Sequence, residues 1–95
     1  EYQEALRLDP DYANAHNGLG NVLGTQNRHL EAEAEHREAL RLVPSTAAYL
    51  NNLGVALENQ QKYAQAEDEY RAALKIDPNL TTAQNNLNRL LLKKK

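Results

Sequence analysis

The chain contains no cysteine, so neither a disulfide framework nor a cysteine-based metal site is available to it. No apolar run, including Leu90–Leu92, approaches the roughly 20 residues that a membrane-spanning helix needs. An excess of positive charge is also missing, because 13 Asp and Glu residues outnumber 11 Lys and Arg residues, giving a formal net charge of −2. A nucleic-acid platform normally carries a basic stripe, so this balance argues against nucleic acid as a partner.

The sequence also lacks a catalytic constellation. Its histidines are His16, His29 and His36, and the last two are seven residues apart, which is about 10 Å along one helix and too far to share a metal ion. Gly18 and Gly20 fall inside a predicted helix rather than between a strand and a helix, so they do not form a phosphate-binding loop. We therefore expect no enzymatic activity, no metal and no cofactor.

What the sequence does contain is a repeat of 34 residues. The three prolines, Pro10, Pro44 and Pro78, are spaced by that interval. A leucine–glycine pair and three later marks recur at the same interval: Leu19-Gly20, Ala32, His36 and Ala39, then Leu53-Gly54, Ala66, Tyr70 and Ala73. Such spacings place one apolar stripe on each of two successive helices, and neither helix can bury its stripe alone. The period therefore predicts an array of helical hairpins.

These marks resemble the tetratricopeptide repeat, whose 34-residue unit is a pair of antiparallel helices. The resemblance implies an all-α fold, a right-handed superhelix (solenoid) of such pairs. It covers the chain as one domain, with a partial repeat at 1–12, full repeats at 13–46 and 47–80, and a final or capping helix at 81–95. A short helical piece at 1–8 and five helices are predicted, with no strand. The five are Ala13–Gln26, His29–Leu42, Ala47–Gln60, Tyr63–Ile76 and Thr81–Lys93.

The predicted core follows the apolar stripes of the helices. Its members are Leu19, Leu23, Ala32, Leu53, Leu57, Ala66, Tyr70 and Leu74. His16 and His36 stand where the family usually packs aromatic or large apolar residues, so we expect the first full repeat to be looser than the second. The hairpin turns are expected at Asn27 and Gln61.

Asparagine is distributed unevenly along the chain. None of the eleven asparagines lies in the second helix of a predicted hairpin, and nine lie in first helices, although asparagine is a poor helix former. In arrays that this sequence resembles, the first helices line a concave groove. The alternative is that asparagine is merely tolerated on a solvated face.

A row of asparagines can recognise an extended peptide without reading its side chains. Each amide offers a carbonyl acceptor and an N–H donor, which match the N–H and C=O groups of a peptide main chain. The six groove asparagines are expected to be accessible to solvent and to share one concave surface. The predicted peptide-binding residues are Asn17, Asn21, Asn51, Asn52, Asn85, Asn86 and Arg89.

One related groove supports this interpretation. The protein-modifying O-linked N-acetylglucosaminyltransferase has a similar groove, which carries a ladder of asparagines. Asn52 and Asn86 match the ladder position, whereas Gly18 replaces it in the first repeat. The resemblance implies contact with a peptide main chain at the two matching positions.

A second related groove fits the sequence less well. Other family members clamp the C-terminal carboxylate of a chaperone, and Asn21 and Asn52 match the two asparagines of that clamp. Asn17, Thr82 and Asn86 stand where its three cations would be, and carboxylate recognition depends on positive charge. Arg89 and Lys93, in the last helix, could still attract an anion.

We therefore expect a protein–protein interaction scaffold that binds an extended peptide segment in an asparagine-lined groove. One alternative is a structural module that assembles end to end, with weak head-to-tail self-association in which the N-terminal piece of one molecule covers Leu87, Leu90 or Leu91 of another. Another is the substrate-selecting arm of a larger enzyme, such as a protein glycosyltransferase. Nucleic acid and membrane are not expected as partners, and a cytoplasmic location is expected.

Overall fold

The computed structural model describes residues 10–94, and the predicted N-terminal piece at 1–8 lies outside that range. Five α-helices follow one another: α1 Pro10–Thr25, α2 His29–Leu42, α3 Ala47–Glu58, α4 Tyr63–Ile76 and α5 Thr81–Lys93. No strand occurs between residues 10 and 94, which confirms the all-α fold class for this part of the chain. None of these five helices is both long enough and apolar enough to cross a membrane.

Three of the helices, α2, α4 and α5, have the bounds that the sequence predicts. The first helix begins at Pro10 rather than Ala13. Residues of the first helical turn have no acceptor within the helix for their N–H groups, so proline, which has no N–H, fits there without losing a hydrogen bond. The third helix ends at Glu58 rather than Gln60, because residues 59–61 already belong to the turn. Both differences lie at helix ends and leave the hairpin pattern unchanged.

Each hairpin turn is made at one residue in the left-handed conformation. These residues are Asn27, with φ of 64°, and Gln61, with φ of 63°. In both turns the N–H of the next residue donates to the carbonyl five residues before it, which closes the end of the preceding helix. The turn positions predicted from the repeat are therefore confirmed, including Gln61, which lacks the tolerance of asparagine for this conformation.

The helices stack as a solenoid of antiparallel pairs. Helices α1 and α2 form hairpin one, α3 and α4 form hairpin two, and α5 packs against α4. Between the hairpins, α2 contacts α3, and the first helices α1, α3 and α5 also contact one another in order. This arrangement leaves one side of the solenoid formed by first helices, which carry most of the asparagines.

Most of the predicted core is buried. Tyr70, at 0% exposure, is the largest fully buried side chain, and Leu74 is partly buried. The other correct predictions are Leu23, Ala32, Leu53, Leu57 and Ala66. The prediction for Leu19 is wrong, since this side chain is 46% exposed. One period later, Leu53 belongs to a cluster against which Leu40 of the preceding hairpin packs.

The helix α5 completes the core of hairpin two instead of leaving an apolar stripe uncovered. Leu87 is 8% exposed and Leu90 is fully buried, because both belong to the cluster that contains Leu53 and Tyr70. Leu91 is partly buried against the same cluster. Leu87 and Leu90 are therefore not available for the expected head-to-tail contact, and weak self-association stays a prediction.

Candidate functional site

Two pairs of asparagines join successive first helices. Nδ2 of Asn52 donates to Oδ1 of Asn17 at 3.0 Å, between α3 and α1. Nδ2 of Asn86 donates to Oδ1 of Asn51 at 2.9 Å, between α5 and α3. Both bonds span 35 residues, one more than the repeat, so the same contact recurs at each step of the solenoid. The structure thus brings together four of the six predicted groove asparagines.

The exposure of these asparagines follows their place in the stack. Asn21 and Asn85 are exposed, whereas Asn17, Asn52 and Asn86 are half-buried. Asn51 is only 7% exposed, so the expectation that all six are accessible is wrong for this residue. The physical reason is that α3 lies between α1 and α5, and the amide of Asn86 crosses over to bond the Asn51 side chain.

In hairpin one, the predicted packing residue His36 lies directly against Gly20. A Cβ atom at Gly20 would lie 2.6 Å from Cε1 of His36, so only glycine allows this approach. Nδ1 of His36 is 2.9 Å from Oδ1 of Asn17, and it must carry the ring proton to donate to that oxygen. Burial lowers the pKa of His36 to about 4, despite the nearby Glu35 carboxylate. The ring is therefore neutral at neutral pH.

In hairpin two, a carboxylate that sequence reasoning missed lies at the centre of a polar cluster. The Glu58 side chain is 2% exposed and accepts hydrogen bonds at 2.7 Å from Tyr70 Oη, Arg89 Nη2 and Lys93 Nζ. Burial alone would raise the pKa of Glu58, but these hydrogen bonds outweigh burial and hold its pKa at about 2. Burial, followed by the bond to Glu58, raises the pKa of the Tyr70 phenol.

This cluster changes the interpretation of the two cations in α5. Arg89 bonds Glu58 through Nη2 and Asn86 Oδ1 through Nη1, the latter at 2.9 Å, and Lys93 also bonds Glu58. Glu58 therefore partly balances the charge of Arg89 and Lys93. This weakens the attraction for an external anion that we expected at these two residues. The spacing of Lys93 from Glu58 is again 35 residues, the offset of the asparagine pairs, and that offset could have revealed the cluster.

A cavity of about 240 Å³ lies between α1, α2 and α3. Its wall contains buried residues such as Gly20, Ala32 and His36, and its rim contains the exposed Asn21 and Asn59. The remaining lining residues are Gly24, Thr25, His29, Asn52, Val55 and Ala56. The cavity agrees with the expectation of a looser first repeat, because it lies beside the smaller ring of His36.

Sequence comparison places the chain in a family. A sequence model described as "Tetratricopeptide repeat" matches residues 21–81, and one described as "TPR repeat" matches residues 1–27. The chain belongs to the tetratricopeptide repeat family. No curated protein matches it.

The solved structure of a tetratricopeptide repeat domain shares the fold. The Sgt2 TPR domain from Aspergillus fumigatus superposes with a TM-score of 0.82 at 20% identity, over 90% of this chain and 56% of that domain. This chain thus spans about half the length of that domain. The first TPR of Spaghetti (RPAP3), bound to the HSP90 peptide SRMEEVD, gives a TM-score of 0.46 at 18% identity, over 90% of this chain and 95% of that one.

Membership of this family supports a role as a protein-interaction module. Among residues 10–94, no group of three His, Cys, Asp or Glu side chains is arranged to hold a metal ion. His16 bonds Glu35 at 2.7 Å and His36 bonds Asn17, so both have contacts within hairpin one. The side of the solenoid formed by α1, α3 and α5, with the cavity at its hairpin-one end, is the candidate functional site.

Proposed function

We propose that this tetratricopeptide repeat protein, with full repeats at 13–46 and 47–80, is a non-enzymatic interaction module that holds an extended peptide segment of a partner protein against α1, α3 and α5. The observation that carries this proposal is the recurring asparagine pair. Each pair ties one first helix to the next, and the donor asparagine of each pair is the one that matches the asparagine ladder. The amides are therefore held in place before a peptide arrives, which lowers the entropy cost of binding.

The contacts leave specific polar groups for a peptide. Oδ1 of Asn52 takes part in none of the hydrogen bonds found among the described residues, because its pair bond uses Nδ2. Asn21 and Asn85 are exposed, and the side-chain bonds within residues 10–94 do not include them. Together these amides offer acceptors and donors to the main chain of a peptide. Asn51 acts through Asn86, whose position it fixes.

The charge around this surface favours a partner that is not strongly acidic. Asn17, Thr82 and Asn86 occupy the positions at which a carboxylate clamp would need cations, and Arg89 is engaged by Glu58. Recognition of a C-terminal acidic tail would require free positive charge at those positions. A main-chain mode of binding needs none.

The proposal can be tested with peptides selected from a random-peptide display library by the purified chain. Asn52→Ala should weaken the binding of a selected peptide by roughly two- to tenfold, because one neutral hydrogen bond contributes about 0.5–1.5 kcal/mol. Asn88→Ala is the matched control, since Asn88 is also an exposed helical asparagine but lies one period after Gly54, on the side that faces second helices. Circular dichroism would verify that both variants fold.

The decisive variant replaces Asn21, Asn52 and Asn85 together by alanine. We expect it to retain the helical content and to lose most of its affinity for the selected peptides. Unchanged affinity in this triple variant, with the Asn88→Ala control also unchanged, would contradict the proposed role of the asparagines.

A further inference from the structure

The two ladder asparagines, Asn52 and Asn86, differ in the residue that stands one helical turn after them. Arg89 follows Asn86 by three residues, and Val55 follows Asn52 by the same interval. Residues three apart are neighbours on a helix surface, so Arg89 can donate from Nη1 to Oδ1 of Asn86, at 2.9 Å. Val55 has no group that bonds an amide, and its side chain packs against the core cluster instead.

Arg89 fixes the orientation of the Asn86 amide. A guanidinium group only donates hydrogen bonds, so the atom of Asn86 that faces it must be the oxygen. The other end of the amide, Nδ2, donates to Oδ1 of Asn51. Both polar atoms of Asn86 are thus engaged within the chain, and Arg89 is the residue that occupies the acceptor.

Glu58 holds the guanidinium of Arg89 in this position. Its carboxylate accepts from Nε at 3.2 Å and from Nη2 at 2.7 Å, so the two groups bond in parallel. Such a two-point contact fixes the direction of the guanidinium as well as its place. Glu58 is itself fixed, since its side chain is 2% exposed and also bonds Tyr70 and Lys93. A series of contacts therefore leads from the buried cluster through Arg89 to Asn86.

Asn52 lacks such a series of contacts. Gly24, one period before Glu58, has no side chain, and valine stands in place of the arginine. Nδ2 of Asn52 bonds Asn17, but its Oδ1 has no hydrogen-bond partner among the described residues. This oxygen is not one of the buried polar atoms that lack a partner in the described part of the chain. It is therefore in contact with solvent.

The groups left for a ligand differ at the two positions. Asn52 retains an acceptor, Oδ1, besides the second N–H of its amide. At the other position the unbonded N–H groups are the second one of Asn86 and two of the five of Arg89, whose side chain is 49% exposed. A peptide N–H that approached Oδ1 of Asn86 would bring its partial positive charge next to the guanidinium. Only donors are thus well placed there.

We infer that Arg89 decides which main-chain group each ladder asparagine recognises: Oδ1 of Asn52 accepts a peptide N–H, whereas Asn86 and Arg89 donate to a peptide C=O. This inference rests on the proposed function, because the peptide is the one held along α1, α3 and α5. Glu58 is then a positioning residue, which acts on the peptide through the guanidinium. The two asparagine pairs are alike in spacing, but they read different groups of the same main chain.

The inference can be tested by methylating the main-chain nitrogens of a display-selected peptide one at a time, which removes each N–H donor in turn. Isothermal titration calorimetry would measure the binding of each methylated peptide to the parent chain, to Asn52→Ala and to Asn86→Ala. At one nitrogen, methylation should weaken binding to Asn52→Ala by roughly two- to tenfold less than binding to the parent chain, because the hydrogen bond is already missing. In Asn86→Ala, the loss at every nitrogen should match that of the parent chain within about twofold.

Removal of Arg89 should add a second sensitive nitrogen. Arg89→Met keeps an unbranched side chain and removes every donor, so Oδ1 of Asn86 becomes free to accept. Methylation at one further nitrogen should then weaken binding by roughly two- to tenfold more than in the parent chain, and the double variant Arg89→Met/Asn86→Ala should lose this effect. A merely structural role of the arginine would lower the affinity for all the peptides alike.

The matched control is Arg71→Met. Arg71 also bonds a glutamate, Glu67, but it lies on α4 and bonds none of the asparagines. The control should show the methylation pattern of the parent chain, and circular dichroism would verify that the variants fold. The comparison of Asn52→Ala with Asn86→Ala does not depend on the fold of Arg89→Met.

Three results would overturn the inference and leave the proposed function standing, provided that the triple alanine variant loses affinity. One is equal coupling of Asn52→Ala and Asn86→Ala to methylation, which would show that both amides accept from the peptide. Another is the absence of coupling to Asn52→Ala at every nitrogen. The third is an unchanged methylation pattern in folded Arg89→Met. Unchanged affinity in the triple alanine variant would instead refute the proposed function itself.

Discussion

Equivalent positions in the two hairpins share one backbone arrangement but differ in the side chains packed between their helices. A ring lies on a helical glycine in both, His36 on Gly20 and Tyr70 on Gly54, at nearly the same separation. In hairpin two the ring continues into a buried ionic cluster, whereas in hairpin one it borders a cavity with uncharged walls. The comparison teaches that the two hairpins share a backbone while only hairpin two fills its interior, and we propose that the open side of hairpin one belongs to the binding surface.

The largest difference is expected at equivalent leucines. Leu53→Ala should lower the free energy of unfolding by about 2–5 kcal/mol, because Leu53 is 2% exposed and the truncation leaves a cavity. Leu19→Ala, one period earlier, should cost less than about 1 kcal/mol because its side chain is 46% exposed. Urea unfolding of the two variants measures both values. Equal losses would show that hairpin one buries Leu19 in solution.

The ionic cluster of hairpin two should contribute the next largest effect. Glu58→Gln should lower the free energy of unfolding by about 2–3 kcal/mol at neutral pH, because it removes the buried charge that three donors bond. Arg89 and Lys93 are partly exposed, so hydrogen bonds to water can offset part of their loss. Stability of the parent chain should also fall as the pH drops from about 4.5 toward 2, since the folded carboxyl holds its charge with a pKa of about 2. Glu58→Gln should reduce this pH dependence without abolishing it, because the pKa values of Glu33, Glu38 and Glu67 are also lowered in the folded chain.

The matched control for this carboxylate is Glu31→Gln. Glu31 forms an ion pair with Arg28, but both side chains are about half exposed, so the loss should stay below about 0.5 kcal/mol. A Glu58→Gln variant as stable as Glu31→Gln would show that the buried cluster does not stabilise hairpin two.

Hairpin one should respond to pH in a different range. The unfolded imidazole of His36 takes up a proton near pH 6.5 and the folded one only near 4, so the unfolded state binds more protons between these values. The free energy of unfolding should therefore decrease as the pH falls from 6.5 to 4, by about 2 kcal/mol at roughly pH 5. His36→Phe should abolish this decrease. A decrease of the same size in the variant would assign it to other groups.

The smallest effects are expected at the glycines of α1. Gly24→Ala should raise the free energy of unfolding by about 0.5–1 kcal/mol, because alanine favours the helix and its Cβ meets no atom within 4 Å. Gly20→Ala should lower it, because its Cβ would lie 2.6 Å from the ring of His36. Thermal unfolding of the two variants, side by side, shows whether the cavity side of α1 is open. Destabilisation by both Gly24→Ala and Gly20→Ala would contradict an open cavity beside Gly24.

The repeat pattern predicts the helices well because helix ends and turns depend mainly on residues that are close together in the sequence. The turns at Asn27 and Gln61 and three helices with correct bounds follow from the proline spacing and the recurring apolar stripes. The repeat marks Leu19 and Leu53 alike, but among the described residues only Leu53 lies in a cluster that a neighbouring hairpin covers. The exposure expected for Leu87 and Leu90 is wrong, because residues of α3 and α4 in the same cluster already cover them.

The site is less accessible to sequence reasoning because its contacts join distant residues. Composition identifies the asparagines, but only the packing of α1, α3 and α5 shows that Asn52 bonds Asn17 and that Asn86 buries Asn51. Glu58 was overlooked since its three donors are 12, 31 and 35 residues away. The peptide-binding role of the asparagines stays a prediction until a ligand is measured.

The most direct test of this division between the hairpins is a map of the peptide contact surface. A peptide selected by display would be titrated into the labelled chain, and the backbone amide shifts would be recorded by NMR. We expect the largest shifts at Gly20, Asn21 and Asn52 and small shifts at Glu58 and Tyr70. Shifts concentrated on α4 and the Glu58 cluster, with hairpin one unchanged, would contradict the account.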